Sequence, residues 1–236
     1  MSQALTTLAF YASPPHECAY LPDREAVTLF ADPYAPMDPE AYDQLLAHGF
    51  RRSGQYVYRP RCPHCRACIS VRVPAAEFRP DRSQRRTWRA NQDLEVIVRD
   101  DSFREEHFAL YRRYMRHRHP GGGMDVTDPA AYSDFLSCSW GDTRFVEFRD
   151  AERLLAVAVV DVTPHALSAV YTFFDPEASR RGLGTHAILW QIETARAQGR
   201  AWVYLGYWLE ESPKMAYKDR FRPLEALQGG VWRRRP

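Results

Sequence analysis

The sequence has no long hydrophobic run. Its longest, Leu154 to Val160, is far too short to cross a bilayer, which excludes a helical membrane span. The opening Met1-Ser2-Gln3-Ala4-Leu5 lacks a basic segment followed by an apolar stretch, so no secretion leader is expected and the chain is expected in the cytoplasm, with no membrane partner. It also lacks charge of one sign: 32 Lys and Arg against 30 Asp and Glu leave +2, so bulk charge selects no partner. Repeats and low-complexity tracts are absent, which argues against a disordered or solenoid chain. What remains, 236 residues with 45% hydrophobic and 13% aromatic side chains, fits a folded soluble enzyme of one large domain or two small ones.

The distribution of residues says more than the totals. Cys18, Cys62, Cys65, Cys68 and Cys138 are odd in number and three are bunched, which in a reducing compartment points to metal, redox chemistry or free thiols before disulfides. Arginine is clustered as well. Arg79, Arg82, Arg85, Arg86 and Arg89 form one run, Arg112, Arg113, Arg116 and Arg118 a second, and Arg233 to Arg235 a third. Each run alone reads as a solvated face; three in a near-neutral chain suggest a polyanionic ligand, because guanidinium presents a planar fork of donors to phosphate.

The chain reads as two parts joined near residues 90 to 104, with boundaries at 1–95 and 96–236. The first has a Pro-rich opening, a helix from Pro39 to His48, a strand from Phe50 to Tyr58, a Cys-rich loop and a strand from Cys68 to Val73. The second reads as α/β. Phe103, His107, Leu110 and Tyr114 recur at helical spacing until Gly121-Gly122-Gly123, and a shorter helix is expected from Pro129 to Cys138. Strands are expected at Arg144 to Phe148, Leu154 to Asp161 and Leu167 to Phe174. A glycine turn, a helix through Ile192 ended by Gly199, and a strand Trp202 to Tyr207 then complete a β-turn-α-β unit.

Three constellations carry chemistry. Ser179-Arg180-Arg181-Gly182-Leu183-Gly184-Thr185 lies between strand and helix, where backbone N–H groups and a helix N-terminus meet phosphate. It is neither a P-loop nor a dinucleotide fingerprint. It resembles the acyl-donor turn of GNAT-type acyltransferases, Gln/Arg-x-x-Gly-x-Gly/Ala, departing from it in Ser179. Cys62, Cys65 and Cys68 put three thiolates within reach of one ion, with Cys18 as a fourth ligand and His16 or His64 in reserve; reduced buried thiols are the plainer alternative. Cys138 reads as a core residue. Tyr204-Leu205-Gly206-Tyr207-Trp208, followed by Lys214 and Lys218 four residues apart, could stack a base and meet phosphate, or could be an ordinary aromatic core with two solvated lysines.

Together these segments resemble the bacterial aspartate/glutamate leucyltransferases, relatives of the eukaryotic arginyl-tRNA–protein transferases. The matching stretches are Cys18-Ala19-Tyr20-Leu21-Pro22, Gly49-Phe50-Arg51-Arg52-Ser53-Gly54, Tyr58-Arg59-Pro60, the three bunched cysteines, Val170-Tyr171-Thr172-Phe173, Leu183-Gly184, Ala187-Ile188-Leu189-Trp190-Gln191-Ile192, Tyr204 to Trp208, and Lys214-Met215 with Tyr217-Lys218. The resemblance implies an α+β protein with a smaller N-terminal Cys-containing domain and a GNAT-like catalytic domain on a mixed sheet. It implies leucyl-tRNA as donor and proteins with N-terminal Asp or Glu as acceptors, marked by the transfer for degradation. A structural or regulatory zinc ion or iron–sulfur cluster on Cys18, Cys62, Cys65 and Cys68 is compatible with it, although the reaction requires no cofactor.

Aminolysis of an already activated ester asks for alignment and management of one proton. Glu147, Asp161 and Asp175 are candidate bases, with salt-bridging as the alternative for each. Backbone N–H groups around Leu205 to Tyr207 could stabilise the tetrahedral oxyanion. Arg59, Arg61 and Arg72 flank the Cys loop and could read an acidic acceptor side chain. Arg180, Arg181, Gly182, Leu183, Gly184, Tyr204, Lys214 and Lys218 are expected to hold the donor. The rivals are an acyl-CoA-dependent acetyltransferase and a non-catalytic, metal-dependent RNA-binding module.

Overall fold

The computed structural model describes residues 8–100, 103–118 and 127–235; the triple glycine expected to break a helix lies outside them. The first half runs β1 (Phe10–Ala12), β2 (His16–Glu17), β3 (Glu25–Ala26), β4 (Thr28–Ala31), α1 (Pro39–Ala47), β5 (Arg51–Ser53), β6 (Tyr56–Pro60), β7 (Ile69–Pro74), α2 (Arg82–Arg89) and β8 (Glu95–Arg99). Then come α3 (Glu105–Arg118), α4 (Pro129–Leu136), β9 (Asp142–Asp150), β10 (Arg153–Val162), β11 (Ala166–Phe174), a 3-10 turn at Pro176–Arg181, and α5 (Leu183–Ala197). The chain ends with β12 (Trp202–Trp208), α6 (Pro213–Ala216), a second 3-10 turn at Tyr217–Arg220, β13 (Glu225–Gln228) and β14 (Val231–Arg234). Among the described residues no helix is long and apolar enough to cross a membrane.

Local chemistry sets the helix starts. Asp38 accepts from the Ala41 N–H ahead of Pro39, and Asp81 with Gln84 forms a reciprocal capping box on α2. A small antiparallel sheet has the order β1-β4-β6-β5, and an eight-stranded sheet has the order β14-β13-β7-β12-β11-β10-β9-β8. Within the large sheet β11 and β12 are parallel, joined through α5, and the other pairs are antiparallel. Period-two alternation assigns its faces: Ala156, Ala158 and Val160 of β10 pack with Leu183, Ala187 and Ile192 of α5. Val157 and Val159 pack on the opposite face with Phe108 and Tyr111 of α3 and Tyr132 and Leu136 of α4.

The α+β class, the mixed sheet and the β11-α5-β12 unit match the sequence reading. Two features differ. The single strand expected from Phe50 to Tyr58 is a hairpin, β5 and β6, turning at Gly54. Gly54 has φ +57°, and a Cβ there would fall 1.9 Å from the Asp134 carbonyl oxygen, so only glycine fits the turn. The large sheet also takes strands from both sides of residue 95, since β7 lies between β13 and β12 and β8 pairs with β9. Hydrogen-bonded pairing of distant strands crosses a boundary drawn from local composition.

Two buried ion-pair clusters hold the layers together, and they contain two of the carboxylates proposed as bases. Arg52 of β5 meets both oxygens of Asp161 in β10 at 2.7 Å, and also donates to the Leu136 carbonyl at 2.9 Å. The two side chains are 0% and 3% exposed, so this fork ties the small sheet to the large one out of contact with water. Glu147 is fully buried and accepts from Arg149 at 2.7 Å, His107 at 2.8 Å and Arg99 at 3.2 Å. Burial alone would raise its pKa, but the hydrogen bonds from Arg149 and His107 outweigh it and hold the carboxyl down at about 2. Glu147 is therefore not disposed to take a proton at neutral pH, and both oxygens of Asp161 are occupied by Arg52. Asp175 likewise caps the 3-10 turn and pairs with Arg153 and Arg113.

Removing one member of such a cluster leaves an uncompensated buried charge. Glu147→Gln and Asp161→Asn should each cost about 3–5 kcal/mol of unfolding free energy, read as a lower urea midpoint. Because the Glu147 pKa is depressed on folding, its contribution is complete above the unfolded carboxylate value near ~4.3 and is lost as pH falls toward about 2. Wild type should therefore lose stability over that acid window more steeply than Glu147→Gln does.

Candidate active site

Parallel strands β11 and β12 pair only over Ala166–Ser168 and Trp202–Tyr204, and beyond that point they part. The backbone groups freed on β11 need partners. Arg51 supplies them: its Nη2 donates to the Ala169 carbonyl at 2.8 Å and the Val170 carbonyl at 3.2 Å. The guanidinium reaches this place because Gly206 stands opposite. A Cβ on Gly206, at φ +79°, would lie 1.8 Å from Arg51 Nη1, and the β12 ladder shifts register between Tyr204 and Gly206. A glycine inside an aromatic strand thus marks a close approach by another group.

Tyr207 anchors the other side of the gap. Its hydroxyl lies 3.1 Å from the Gly49 carbonyl and 3.2 Å from the Tyr58 carbonyl, and Arg51 sits 5.9 Å from its ring centroid. Lys218 is buried, and its Nζ donates to the Tyr207 carbonyl and approaches Met215 Sδ at 3.3 Å. Burial first, and then the charge of Arg51, drive the Lys218 pKa well below the ordinary lysine value. Burial likewise raises the hydroxyls of Tyr20 (to about 12) and Tyr217, both near Arg51, and of Tyr171, which lies near Tyr114 and Arg118. The gap is thus bordered by the Arg51 guanidinium and the Tyr207 phenol, with a buried amine behind Tyr207 held toward its neutral form.

The residues expected to form the site do not all gather here. Tyr207 does, and Lys218 does, though as a buried amine and not as a solvent-facing phosphate cation. Lys214, the chain's other lysine, is exposed on α6; a short helix and a 3-10 turn separate the two faces. Arg180 is exposed beside the glycine turn. Arg181 is spent on Asn91 Oδ1 at 3.0 Å and on Asp93 and Asp150, tying the turn to the segment after α2. Gly182 adopts φ +65° before Leu183 and Gly184, and no side chain caps the start of α5. Tyr204 points instead to the small sheet, with its hydroxyl 3.2 Å from Arg72 Nη1.

Two of the three arginines proposed to read the acceptor, Arg59 and Arg72, are engaged by other partners. Arg72 is stacked between Trp202 and Trp232 at 4.0 and 4.3 Å and paired to Glu225 at 2.7 Å. Arg59 stacks on Phe50 at 4.8 Å and donates to the His48 carbonyl, while Arg61 is exposed. Arg51 is the cation that sequence reasoning passed over, although Gly206 within Tyr204 to Trp208 signalled that something large lies against that strand.

All five cysteines are free and half-buried. Cys18, Cys65 and Cys68 pack around Leu21, Tyr207 and Leu209. Burial, then the nearness of Cys18, Cys62 and Cys65, push the Cys68 thiol up to about 12. Yet among the described residues no three His, Cys, Asp or Glu side chains converge as the ligands of one ion would. No chemical step of the transfer is routed through a metal at these thiols. Cys138 lies just past α4, with its Sγ 3.6 Å from Thr143 Oγ1, and not on the helix itself.

Residues 106–228 match the family described as "Arginine-tRNA-protein transferase, C terminus", and residues 16–86 match its N-terminus. The aspartate/glutamate leucyltransferase of Nitrosococcus oceani is 55% identical over 94% of this chain and 94% of its own. That of Hahella chejuensis is 49% identical over 97% of both. Among solved structures, that of L-PGS from Bacillus licheniformis overlaps 83% of this chain and 63% of the other, with a TM-score of 0.49 at 13% identity. The chain belongs to the arginine-tRNA–protein transferase family, in the branch of the aspartate/glutamate leucyltransferases, as its motifs implied.

Proposed function

We propose that this chain moves leucine from leucyl-tRNA to the α-amino group of proteins that begin with Asp or Glu, in the cytoplasm, marking them for degradation. The observation that carries the reading is similarity along nearly the whole chain to aspartate/glutamate leucyltransferases. The acceptor amine attacks the ester carbonyl carbon, the bond to the terminal ribose oxygen breaks, and the proton leaving the nitrogen ends on that oxygen. Because the ester is activated, alignment in the gap supplies most of the acceleration and no carboxylate base is needed. Backbone N–H groups of β12 beyond Tyr204 face the developing oxyanion. Arg51, with Nε and Nη1 left over from its bonds to β11, supplies the cation that an acidic acceptor side chain requires. Lys218 positions the site by holding the Tyr207 carbonyl.

Two outcomes test this. Wild type should leucylate peptides starting with Glu and not those starting with Lys, and Arg51→Lys should reduce kcat/KM for the Glu peptide about 10- to 100-fold, the range of a lost charge-assisted hydrogen bond. Gly206→Ala, which keeps the arginine but displaces it, should give a loss of similar size. Equal use of Glu and Lys peptides by wild type, or unchanged selectivity in both variants, would remove Arg51 from the role. Lys218→Met should keep or raise the melting temperature, since it removes a buried amine, while lowering kcat at saturating donor. A melting temperature that falls together with activity would make Lys218 a purely structural residue.

A further inference from the structure

The outward face of α3 carries the second arginine run, and the transfer site does not use it. Arg112, Arg113 and Arg116 line a groove of about 450 Å³ together with Arg153 of β10, over the apolar Leu110 and Leu154. Glu106 also borders it, but its carboxylate is engaged by Arg149. Arg113 and Arg153 are organised from beneath by one buried carboxylate, with Asp175 Oδ2 at 3.3 and 2.7 Å from their Nη2 atoms. Arg112 lies over the Phe108 ring, and its buried Nε has no hydrogen-bond partner. Among the described residues the exposed Arg116 has neither an ion pair nor a hydrogen bond. Asp175 therefore fixes two guanidinium groups in place, Arg153 also meets the exposed Glu177 at 3.1 Å, and with Arg112 and Arg116 the arginines still outnumber these carboxylates, so positive charge stays in excess.

The groove's position matches its charge. Asp175 ends β11 and opens the 3-10 turn that carries exposed Arg180 to the glycine turn, so groove and turn lie at the same end of the sheet. On the same helix Arg118 hydrogen-bonds the Tyr114 hydroxyl and lies near Tyr171 and Tyr217 at the gap. At ~1.5 Å per residue, the cations from Arg112 to Arg118 span about 9 Å, enough to meet successive phosphates of one strand of an RNA helix. The glycine turn has less to offer, because Arg181 is neutralised by Asp93 and Asp150.

We propose that the α3 groove is the docking surface for the phosphate backbone of the tRNA donor, with the acceptor stem laid along Arg112, Arg113, Arg116 and Arg153 and its 3′ end passing Arg118 into the gap. The inference rests on the reading that the donor is a tRNA. Uncharged tRNA binding to the full-length protein, followed by fluorescence anisotropy across a salt series, tests it. Wild type should bind with a steep log–log salt slope. Arg112→Gln with Arg116→Gln should cut that slope by about one to two units and weaken binding about 10-fold or more near ~0.1 M salt. Arg116→Glu should do so alone without lowering the unfolding midpoint, whereas Arg82→Gln with Arg86→Gln on α2 should change neither. An unchanged slope in the α3 variants, or an equal loss in the α2 pair, overturns the assignment. Failure of wild type to bind tRNA while it transfers acetyl from acetyl-CoA to the Glu peptide overturns the donor reading itself, which separates the two failures.

Discussion

The structure depends on how two parallel strands are allowed to part. Strands leaving a ladder expose carbonyls that must be satisfied, and water or a neighbouring strand is the usual partner. Here the partner is Arg51, delivered from the small sheet onto Ala169 and Val170. The opposite edge is fastened to the same small sheet through the Tyr207 hydroxyl and the carbonyls of Gly49 and Tyr58. The N-terminal segment is therefore a wedge that keeps β11 and β12 apart. Its next residue, Arg52, faces the other way and locks the wedge to β10 through Asp161. Adjacent residues of one strand thus serve site and scaffold, because successive side chains point to opposite faces.

The arginines divide by environment. Arg52, Arg72 and Arg149 are enclosed with carboxylates and hold layers together. Those along α3 sit at the surface, and their charge remains available to a polyanion. The same division disposes of the carboxylates: Glu147 and Asp161 are consumed by arginine, which leaves the gap to a guanidinium and a phenol, with a buried amine behind. Such a site suits a reaction whose electrophile is activated beforehand, in which orientation matters more than proton abstraction.

Much of this was legible in the sequence. Helical and two-residue periodicities placed α1, α3, α5 and the central strands, because each of these buries one face on a common core. The turn at Gly54 was missed because its need for glycine comes from Asp134, far away in the chain. The strand β7 was seen, but not its membership of the large sheet, which is decided by pairing with β12 and β13. For the site, the stretch Tyr204 to Trp208 was singled out, but not the register shift before Gly206 that turns both Tyr204 and Tyr207 toward the N-terminal half while only Tyr207 borders the gap. Spacing alone put Lys214 and Lys218 on one helical face; the break between α6 and the following turn buries the second and exposes the first. Arg51 was hidden among some thirty cations whose partners only the fold reveals.

The transfer proposed for this gap joins leucine, and no other acyl group, to an acidic N-terminus. Incubation of the protein with a Glu-initiated peptide, total charged tRNA and acetyl-CoA together, followed by mass spectrometry, tests it most directly. The expected outcome is a single product heavier by one leucine residue, formed on the α-amine and abolished when the tRNA is deacylated. A product heavier by arginine or by acetyl, or a leucine adduct on a lysine side chain, would contradict it.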